Sequence, residues 1–328
     1  MKPYEYAARL NSFRVNEKQY WQGHNGKITT LEVLDRAASV PGLNAVDLNY
    51  PDHLEGLTEQ EVVEKLSSLN VRLNGYAMRY YTDPGFKLGA FTHPDDTVRR
   101  AAIDITKRGL DSLARAGGSL MTLWMGQDGF DYSFQVDYGR IWDQTIAAIR
   151  EVADHNPAIN ISIEYKPNEP RSFSLMPDVA TTLLAIKEID RPNLGVTLDF
   201  AHVLYADEMP AHAASLVARH SRLLGIHLND GYGKRDDGLM AGSVHPIQTI
   251  ELLYELDRIG YDGTIYFDTF PDTTGLDPVA ECATNISTVN AMRRIVDKLR
   301  GDTRLAAAIR KQDAVTSQAI VQAALFGF

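Results

Sequence analysis

The sequence predicts an α/β fold, a single (β/α)8 TIM barrel followed by a C-terminal helical extension. Two observations support this prediction. Short runs rich in β-branched residues alternate with longer amphipathic segments along most of the chain, and there are about eight such units. Alternation favours parallel strands covered by helices, and the number of units favours closure of the sheet. A doubly wound open sheet is the alternative architecture.

Seven strands can be delimited by their apolar runs, and one more is expected within residues 4–15. The run 194–199 is almost continuously apolar or β-branched, as expected for a strand that is buried on both faces. The other delimited strands show the same bias more weakly. The predicted strands span residues 44–49, 72–79, 119–125, 160–165, 194–199, 223–228 and 264–268.

Segments with helical spacing of apolar residues lie between these strands. We assign residues 1–300 to the barrel and residues 301–328 to a helical tail, which could pack on its own barrel or on a partner subunit. Repeats and flexible linkers are absent from the sequence. The clearest predicted helices span residues 97–116, 140–154, 177–189, 211–222 and 247–259.

Composition narrows the classes of function. The formal net charge of −10 and pI of about 5.4 disfavour binding to nucleic-acid phosphates. A single cysteine, Cys282, excludes an internal disulfide. No signal-peptide pattern and no run of about 18 apolar residues is seen, so we expect a cytoplasmic protein. Glycine-rich nucleotide loops, phosphate loops and serine-hydrolase elbows are also missing.

Four predicted strands end in residues that commonly bind metal ions: Glu164, Asp199, His227 and Asp268. Catalytic groups of parallel barrels lie at the carboxyl ends of the strands, so these side chains should converge near the barrel axis. Carboxylates at the ends of apolar strands are costly to desolvate unless they are paired or bound to metal. The alternative is that each carboxylate only caps the following helix. Mixed oxygen and nitrogen ligands suit Mn, Mg, Co or Zn.

Several motifs resemble those of the xylose isomerase-like TIM-barrel superfamily, from about residue 72 to residue 270. Residues 163–171, IEYKPNEPR, look like the isomerase motif IEPKPNEPR. Residues 123–129, LWMGQDG, are similar to LWGGREG of the same family. His227 stands where xylose isomerases have an aspartate, as it does in the rhamnose-isomerase and tagatose-epimerase branches.

This resemblance implies roles for individual residues. It makes Glu164, Asp199, His227 and Asp268 the ligands of a structural metal ion. It also implies that Lys166 holds a substrate oxygen near C1. It further implies that Trp124 packs against the substrate. His202 and Asp236 match ligands of a second, mobile metal ion in the family.

Two positions depart from the family pattern. The second-metal motif DxDL appears here as residues 236–239, DDGL, so one aspartate is displaced. The histidine that assists ring opening in xylose isomerases aligns with Asn49, and the nearest imidazole belongs to His53. Both departures argue against ordinary xylose isomerisation, and occupancy of a second metal site is left open.

The resulting functional prediction is a divalent-metal-dependent sugar isomerase that interconverts an aldose and a ketose, with Mn as the expected cation and a homo-oligomer as the expected assembly. The first alternative is a lyase on 3-keto glycosides, similar to the large subunit of C-glycoside deglycosidases, with a small partner subunit. The second is a ketose 3-epimerase, which the short side chain of Asp268 disfavours. The predicted catalytic residues are Glu164, Lys166, Asp268 and His202, and the predicted substrate-binding residues are Trp124, Arg79, Asn229 and Asp236.

Overall fold

Eight parallel strands close into one barrel in the computed structural model, which describes residues 4–15, 17–24 and 26–327. Each strand pairs with two neighbours, and β1 and β8 close the ring. The predicted (β/α)8 barrel is therefore confirmed. The strands are β1 Tyr6–Arg9, β2 Ala45–Tyr50, β3 Arg72–Met78, β4 Leu120–Trp124, β5 Asn160–Glu164, β6 Leu194–Asp199, β7 Leu223–Leu228 and β8 Ile265–Phe267.

The outer helices begin where polar side chains can accept hydrogen bonds from the first free backbone N–H groups. Asp95, Asp137 and Asp178 each cap a helix in this way. Thr29 and Thr58 start two further helices with reciprocal capping boxes. The helices that surround the barrel are Thr30–Ala38, Glu59–Leu69, Asp96–Arg115, Tyr138–His155, Val179–Ile189, Pro210–His220, Pro246–Arg258 and Pro278–Gly301.

Short elements lie at the carboxyl ends of the strands. The two-residue strands Gly129–Phe130 and Phe173–Ser174 pair antiparallel and join the loop after β4 to the loop after β5. The other short elements are helical turns in the connecting loops. They are the helices Glu17–Tyr20, Phe200–Tyr205 and Pro271–Thr274 and the 3-10 turns Leu10–Phe13, Asp52–Leu54 and Pro84–Phe86.

Two helices, Thr303–Lys311 and Ala314–Phe326, follow the barrel. The first buries Leu305 and Ala308, whereas no residue of the second is fully buried, although its Ile320 and Val321 pack partly against the core. The helical tail thus contacts its own barrel. The predicted boundary between barrel and tail at residue 300 remains a prediction, and Phe328 lies outside the described residues. None of the described helices has the length and apolar character of a membrane span.

Candidate metal centre

Strand register places the four predicted ligands on the inner side of the barrel. Glu164 pairs with Thr197, and Asp199 pairs with His227. His227 in turn pairs with Tyr266, two residues before Asp268. Because paired residues of parallel strands point to the same side and residues two apart do so as well, all four side chains face the axis.

The ligand atoms of this set form one cluster. One donor atom from each of Glu164, Asp199, His227 and Asp268 lies within 4.8 Å of the donors of the other three. His227 Nδ1 is 3.2 Å from Glu164 Oε1 and 3.9 Å from Asp268 Oδ2. The four residues therefore converge, as the sequence predicts. Helix capping, the alternative role for each carboxylate, also occurs at Asp199, which accepts a hydrogen bond from the backbone N–H of His202.

The charges in this cluster suit a divalent cation. Three carboxylates and one imidazole lie together, and all but the partly exposed Asp268 are buried. Burial, together with the neighbouring carboxylates, raises the pKa of Asp199 to about 7. Burial disfavours the charged form of His227, but Glu164 and the two aspartates outweigh it and raise the pKa of this imidazole to about 10. The buried negative charge favours the protonated forms of Asp199 and His227, and a bound divalent ion would compete with these protons.

Asn229 holds Asp199 in place from behind the cluster. Its Nδ2 donates to Asp199 Oδ2 at 3.0 Å and to the carbonyl oxygen of Asp268 at 3.1 Å. Its Oδ1 accepts from the backbone N–H of Ala201 at 2.8 Å. The side chain is buried and has protein partners at both its amide nitrogen and its amide oxygen, so it can orient Asp199, and its predicted contact with substrate stays a prediction.

A second polar group, formed by His202, Asp236 and Lys166, lies beside the ligands. Asp236 Oδ2 is 3.1 Å from His202 Nε2 and 3.1 Å from Lys166 Nζ. His202 Nδ1 faces the carbonyl oxygen of Tyr165 at 3.0 Å and is 3.7 Å from Glu164 Oε1. Burial lowers the pKa of His202, but Asp199 and Asp236 outweigh it and raise the value to about 9.

These contacts favour the doubly protonated form of His202. Each ring nitrogen faces an oxygen acceptor, and the raised pKa of the imidazole agrees with this form. Asp236 then bridges the two positive groups His202 and Lys166, and its own pKa is held below the usual range by them, against the effect of burial. The predicted second metal site coincides with this ion-paired group, and its occupancy remains a prediction.

Trp124 forms a wall next to Lys166. Lys166 Nζ lies 5.4 Å from the centre of the indole, and the ring of Tyr81 packs edge-on against Trp124, with centroids 5.0 Å apart. Gly126 makes this placement possible, since a Cβ there would lie 2.4 Å from the indole. Arg79 donates to the hydroxyl of Tyr81, which connects the end of β3 to the same wall.

The early strands carry Arg9, which the sequence did not identify, as well as Asn49 and His53, which it did. Arg9 lies at the end of β1, and its Nε is 3.8 Å from Asp268 Oδ1. The sequence does not assign Arg9 to the site, because it places the first strand only within residues 4–15. Asn49 occupies the place of the ring-opening histidine, and its backbone N–H donates to His53 Nδ1 at 2.9 Å. His53 Nε2 therefore carries the proton and donates to Asn11 Oδ1. His53 is buried and bonded to protein at both nitrogens.

Comparison with known proteins agrees with this geometry. The chain is 31% identical to the xylose isomerase of Thermus thermophilus and 30% identical to that of Thermus caldophilus, over 194 residues in each case. The match includes 57% of this chain and only half the length of either relative.

Solved structures show the same fold over nearly the whole chain. A D-tagatose 3-epimerase-like protein aligns with a TM-score of 0.67 and 18% identity, covering 90% of this chain and 99% of that one. The D-allulose 3-epimerase of a Methylomonas species aligns with a TM-score of 0.65 and 16% identity, covering 88% and 97%. The family model described as "Xylose isomerase-like TIM barrel" matches residues 34–291. The chain belongs to this family.

Proposed function

We propose that this protein is a divalent-metal-dependent sugar isomerase that interconverts an aldose and a ketose. The observation that carries the proposal is the cluster of Glu164, Asp199, His227 and Asp268 beside Lys166 and Trp124. A cation site, a fixed positive charge and an aromatic wall are the three parts that binding and polarising a sugar require. Mn is the cation that we expect in this site, and a homo-oligomer is the expected assembly.

The four ligands would hold the cation, and the remaining residues would act on the substrate. A divalent cation bound there would polarise the carbonyl and the adjacent hydroxyl of the sugar. Lys166 directs its ammonium group from the end of β5, where it can stabilise negative charge that develops on the substrate oxygen near C1. Its pairing with Asp236 and Glu169 keeps it protonated, because both carboxylates raise its pKa against the effect of burial.

His202 and Asp236 are the residues that we propose to hold and pass protons at the sugar oxygens. Asp236 is bonded to both His202 and Lys166, so a proton moving along this group stays within hydrogen-bond distance throughout. Trp124 would cover the apolar face of the sugar and exclude water from the reacting carbons. Asn229 is a positioning residue in this proposal, because it acts on Asp199.

Ketose 3-epimerisation is the second candidate, and one feature of the cluster favours it. Glu164 and Asp268 reach the cluster from different strands, and their carboxylates lie 3.2 Å and 3.9 Å from His227 Nδ1. Two carboxylates from different strands could remove and return a proton on a ketose. The shorter side chain of Asp268 is the reason that we rank isomerisation first.

Product analysis by NMR separates these reactions. The protein is stripped of metal with EDTA, reloaded with Mn, and incubated in D2O with pentoses, hexoses and 3-keto glycosides. Aldose–ketose interconversion that requires the added metal supports the isomerase. Deuterium at C3 of a ketose would indicate an epimerase, cleavage of a 3-keto glycoside would indicate the lyase, and full activity of the stripped protein would refute metal dependence.

A further inference from the structure

A small cavity lies beside Trp124 and the candidate metal centre. Its walls include Trp124, Asp128 and Ser174, together with Glu164 and Lys166. Its volume is about 10 Å³, which is close to the smallest space that holds one water molecule and far too small for a sugar. The cavity therefore adjoins the site that we propose for the reaction, but it can take only a ligand of the size of water.

Three polar atoms of the residues that line this cavity have no hydrogen-bond partner among the residues that the structure describes. They are Nε1 of Trp124, Oδ2 of Asp128 and Oγ of Ser174, and each of these atoms is buried. Buried polar atoms without a partner cost free energy, and a buried indole N–H usually has one. The indole donates, the carboxylate accepts and the hydroxyl does both, so one water molecule can serve all three atoms.

The turn after β4 brings the polar edge of Trp124 close to Asp128. The backbone N–H of Asp128 donates to the carbonyl oxygen of Met125 at 2.9 Å, which closes a turn around Gly126. A Cβ at Gly126 would lie 2.8 Å from Cε2 of Trp124, the ring atom that is bonded to Nε1. The nitrogen-bearing edge of the indole therefore lies over the same turn that ends in Asp128, although the two side chains do not bond directly.

Asp128 is held in place through one carboxylate oxygen, which leaves the other without a protein partner. Its Oδ1 accepts from the backbone N–H and from the hydroxyl of Thr92, both at 2.7 Å. The residue is only 1% exposed, so Oδ2 is shielded from bulk solvent. Ser174 lies alongside, because it pairs with Gly129 and because the N–H of Leu175 donates to the carbonyl oxygen of Asp128 at 3.1 Å.

We propose that this cavity binds one water molecule, which accepts a hydrogen bond from Trp124 and donates one to Asp128, and that Asp128 thereby sets the position of the indole. Ser174 supplies the third contact. Lys166 Nζ lies 5.4 Å from the centre of the same indole, so a tilt of the ring would change the space for a sugar beside Lys166. Asp128 is a positioning residue that acts through the bridging water. This effect on the sugar rests on the proposed function, whereas the water site does not.

NMR of the full chain, labelled with ¹⁵N at tryptophan and loaded with Mg in place of paramagnetic Mn, tests the water site without a sugar. The chain has three tryptophans, and Trp124→Phe identifies the indole N–H signal of Trp124. We expect NOE and ROE cross-peaks of opposite sign between this proton and water, which indicate a bound water molecule and not exchange of the proton.

Substitutions at the cavity test which residues hold the water. Asp128→Leu removes the acceptor and fills the space, so the cross-peaks should disappear, whereas Asp128→Asn keeps the shape and offers an N–H group to the same water, so they should remain. Should Asp128→Leu fold poorly, Ser174→Val fills the cavity from the other loop and should have the same effect. Ser172→Val is the matched control, because Ser172 is exposed on the same loop as Ser174.

Titration with D-xylose, D-glucose and D-fructose, followed at the same indole signal, tests the positioning role. The sugar that binds best should bind about tenfold more weakly to Asp128→Leu and to Ser174→Val, with Asp128→Asn and Ser172→Val unchanged. Absence of the water cross-peaks in the unmodified protein would overturn the water site, as would their persistence in both cavity-filling variants. Unchanged sugar affinity in those variants would overturn the positioning role. Water cross-peaks in a protein that binds no sugar would instead refute the proposed function and leave the water site standing.

Discussion

The two halves of the barrel rim carry opposite charges. Strands β5 to β8 end in three carboxylates and a histidine that face one another within 4.8 Å. Strands β1 to β3 end near Arg9, Arg14 and Arg79. The nearby histidine, His53, is neutral, because burial and the three guanidinium charges lower its pKa to about 3. Both groups occupy the same structural position, the carboxyl end of parallel strands, so the fold itself does not determine the charge.

The difference suggests a division of work across the rim. The half that ends strands β5 to β8, which we call the acidic half, carries motifs that resemble the family, and its geometry suits a cation. The half that ends strands β1 to β3, which we call the basic half, lies mostly in the first 80 residues, where the resemblance is weak. A shared chemical centre with a variable opposite wall is how one barrel serves many substrates.

The largest expected effect comes from removing one ligand of the acidic half. Glu164→Gln keeps the size of the side chain but removes a negative charge from the cluster. We expect bound Mn to fall well below one per chain, and kcat/KM to fall by more than the roughly 10²–10³-fold that the loss of a single transition-state donor costs. Metal analysis and sugar isomerisation measure these quantities.

Glu188→Gln is the matched control, because Glu188 lies on an outer helix and accepts a hydrogen bond from Trp142. It should change neither quantity. Wild-type metal content and activity in Glu164→Gln would show that the acidic half is not the metal centre.

Lys166→Met should have the next largest effect, and it separates substrate activation from metal binding. The change removes the ammonium group near Trp124 and Asp236. We expect kcat to fall by about 10²–10³-fold while metal content stays normal, because Lys166 is not a ligand. Isothermal metal titration and steady-state kinetics test this split. A normal kcat would remove Lys166 from the mechanism, and Lys187→Met on an outer helix is the control.

Asn229→Ala should have a smaller effect on the acidic half. The change frees Asp199 from the amide that orients it, so we expect Mn affinity to weaken by about 10–100-fold and activity to recover at high Mn. Asn193→Ala is the control, because Asn193 Nδ2 donates to the carbonyl oxygens of Ala153 and Ile159. That substitution should lower stability without changing Mn affinity. Loss of activity in Asn229→Ala that excess Mn cannot restore would point to a direct substrate contact.

The smallest effect concerns pH and the stability of the metal-free protein. Asp199 has a folded pKa of about 7, above its unfolded value, so its protonated form favours folding and this contribution is lost as pH rises toward 7. His202 and His227 have folded pKa values of about 9 and 10, so their contribution is complete below about 6.5 and is lost as pH rises through those values.

Both contributions have the same sign, so Tm in EDTA should fall between pH 6 and pH 10. Added Mn should restore it increasingly at higher pH, because a cation competes with protons for the same ligands. At 100 times its Kd the metal should add about 2.7 kcal/mol. A Tm in EDTA that is independent of pH would contradict this account of the cluster.

The sequence predicted the acidic half better than the basic half. Regular alternation identified the barrel, and β6 and β7 occur at the predicted residues; β6 is buried throughout and β7 over its last four residues, which explains their clear apolar runs. Ligand residues at strand ends then followed from the fold. The first strand was placed only within residues 4–15, so Arg9 could not be assigned to the rim, although it ends β1.

Contacts between side chains were beyond the reach of sequence patterns. The hydrogen bonds from the Asn229 amide to Asp199 and to the backbone of Asp268 could not be predicted from the sequence. The link between Arg79, Tyr81 and Trp124 depends on how loops after two strands pack together. Such contacts depend on loop geometry, which hydrophobic periodicity does not encode.

A crystal structure of the Mn-loaded protein, with anomalous diffraction measured at the Mn edge, tests the central claim most directly. The account predicts one strong anomalous peak in contact with Glu164, Asp199, His227 and Asp268, which disappears in Glu164→Gln. An anomalous peak elsewhere, or a Mn-loaded crystal in which these four side chains contact only one another, would contradict it.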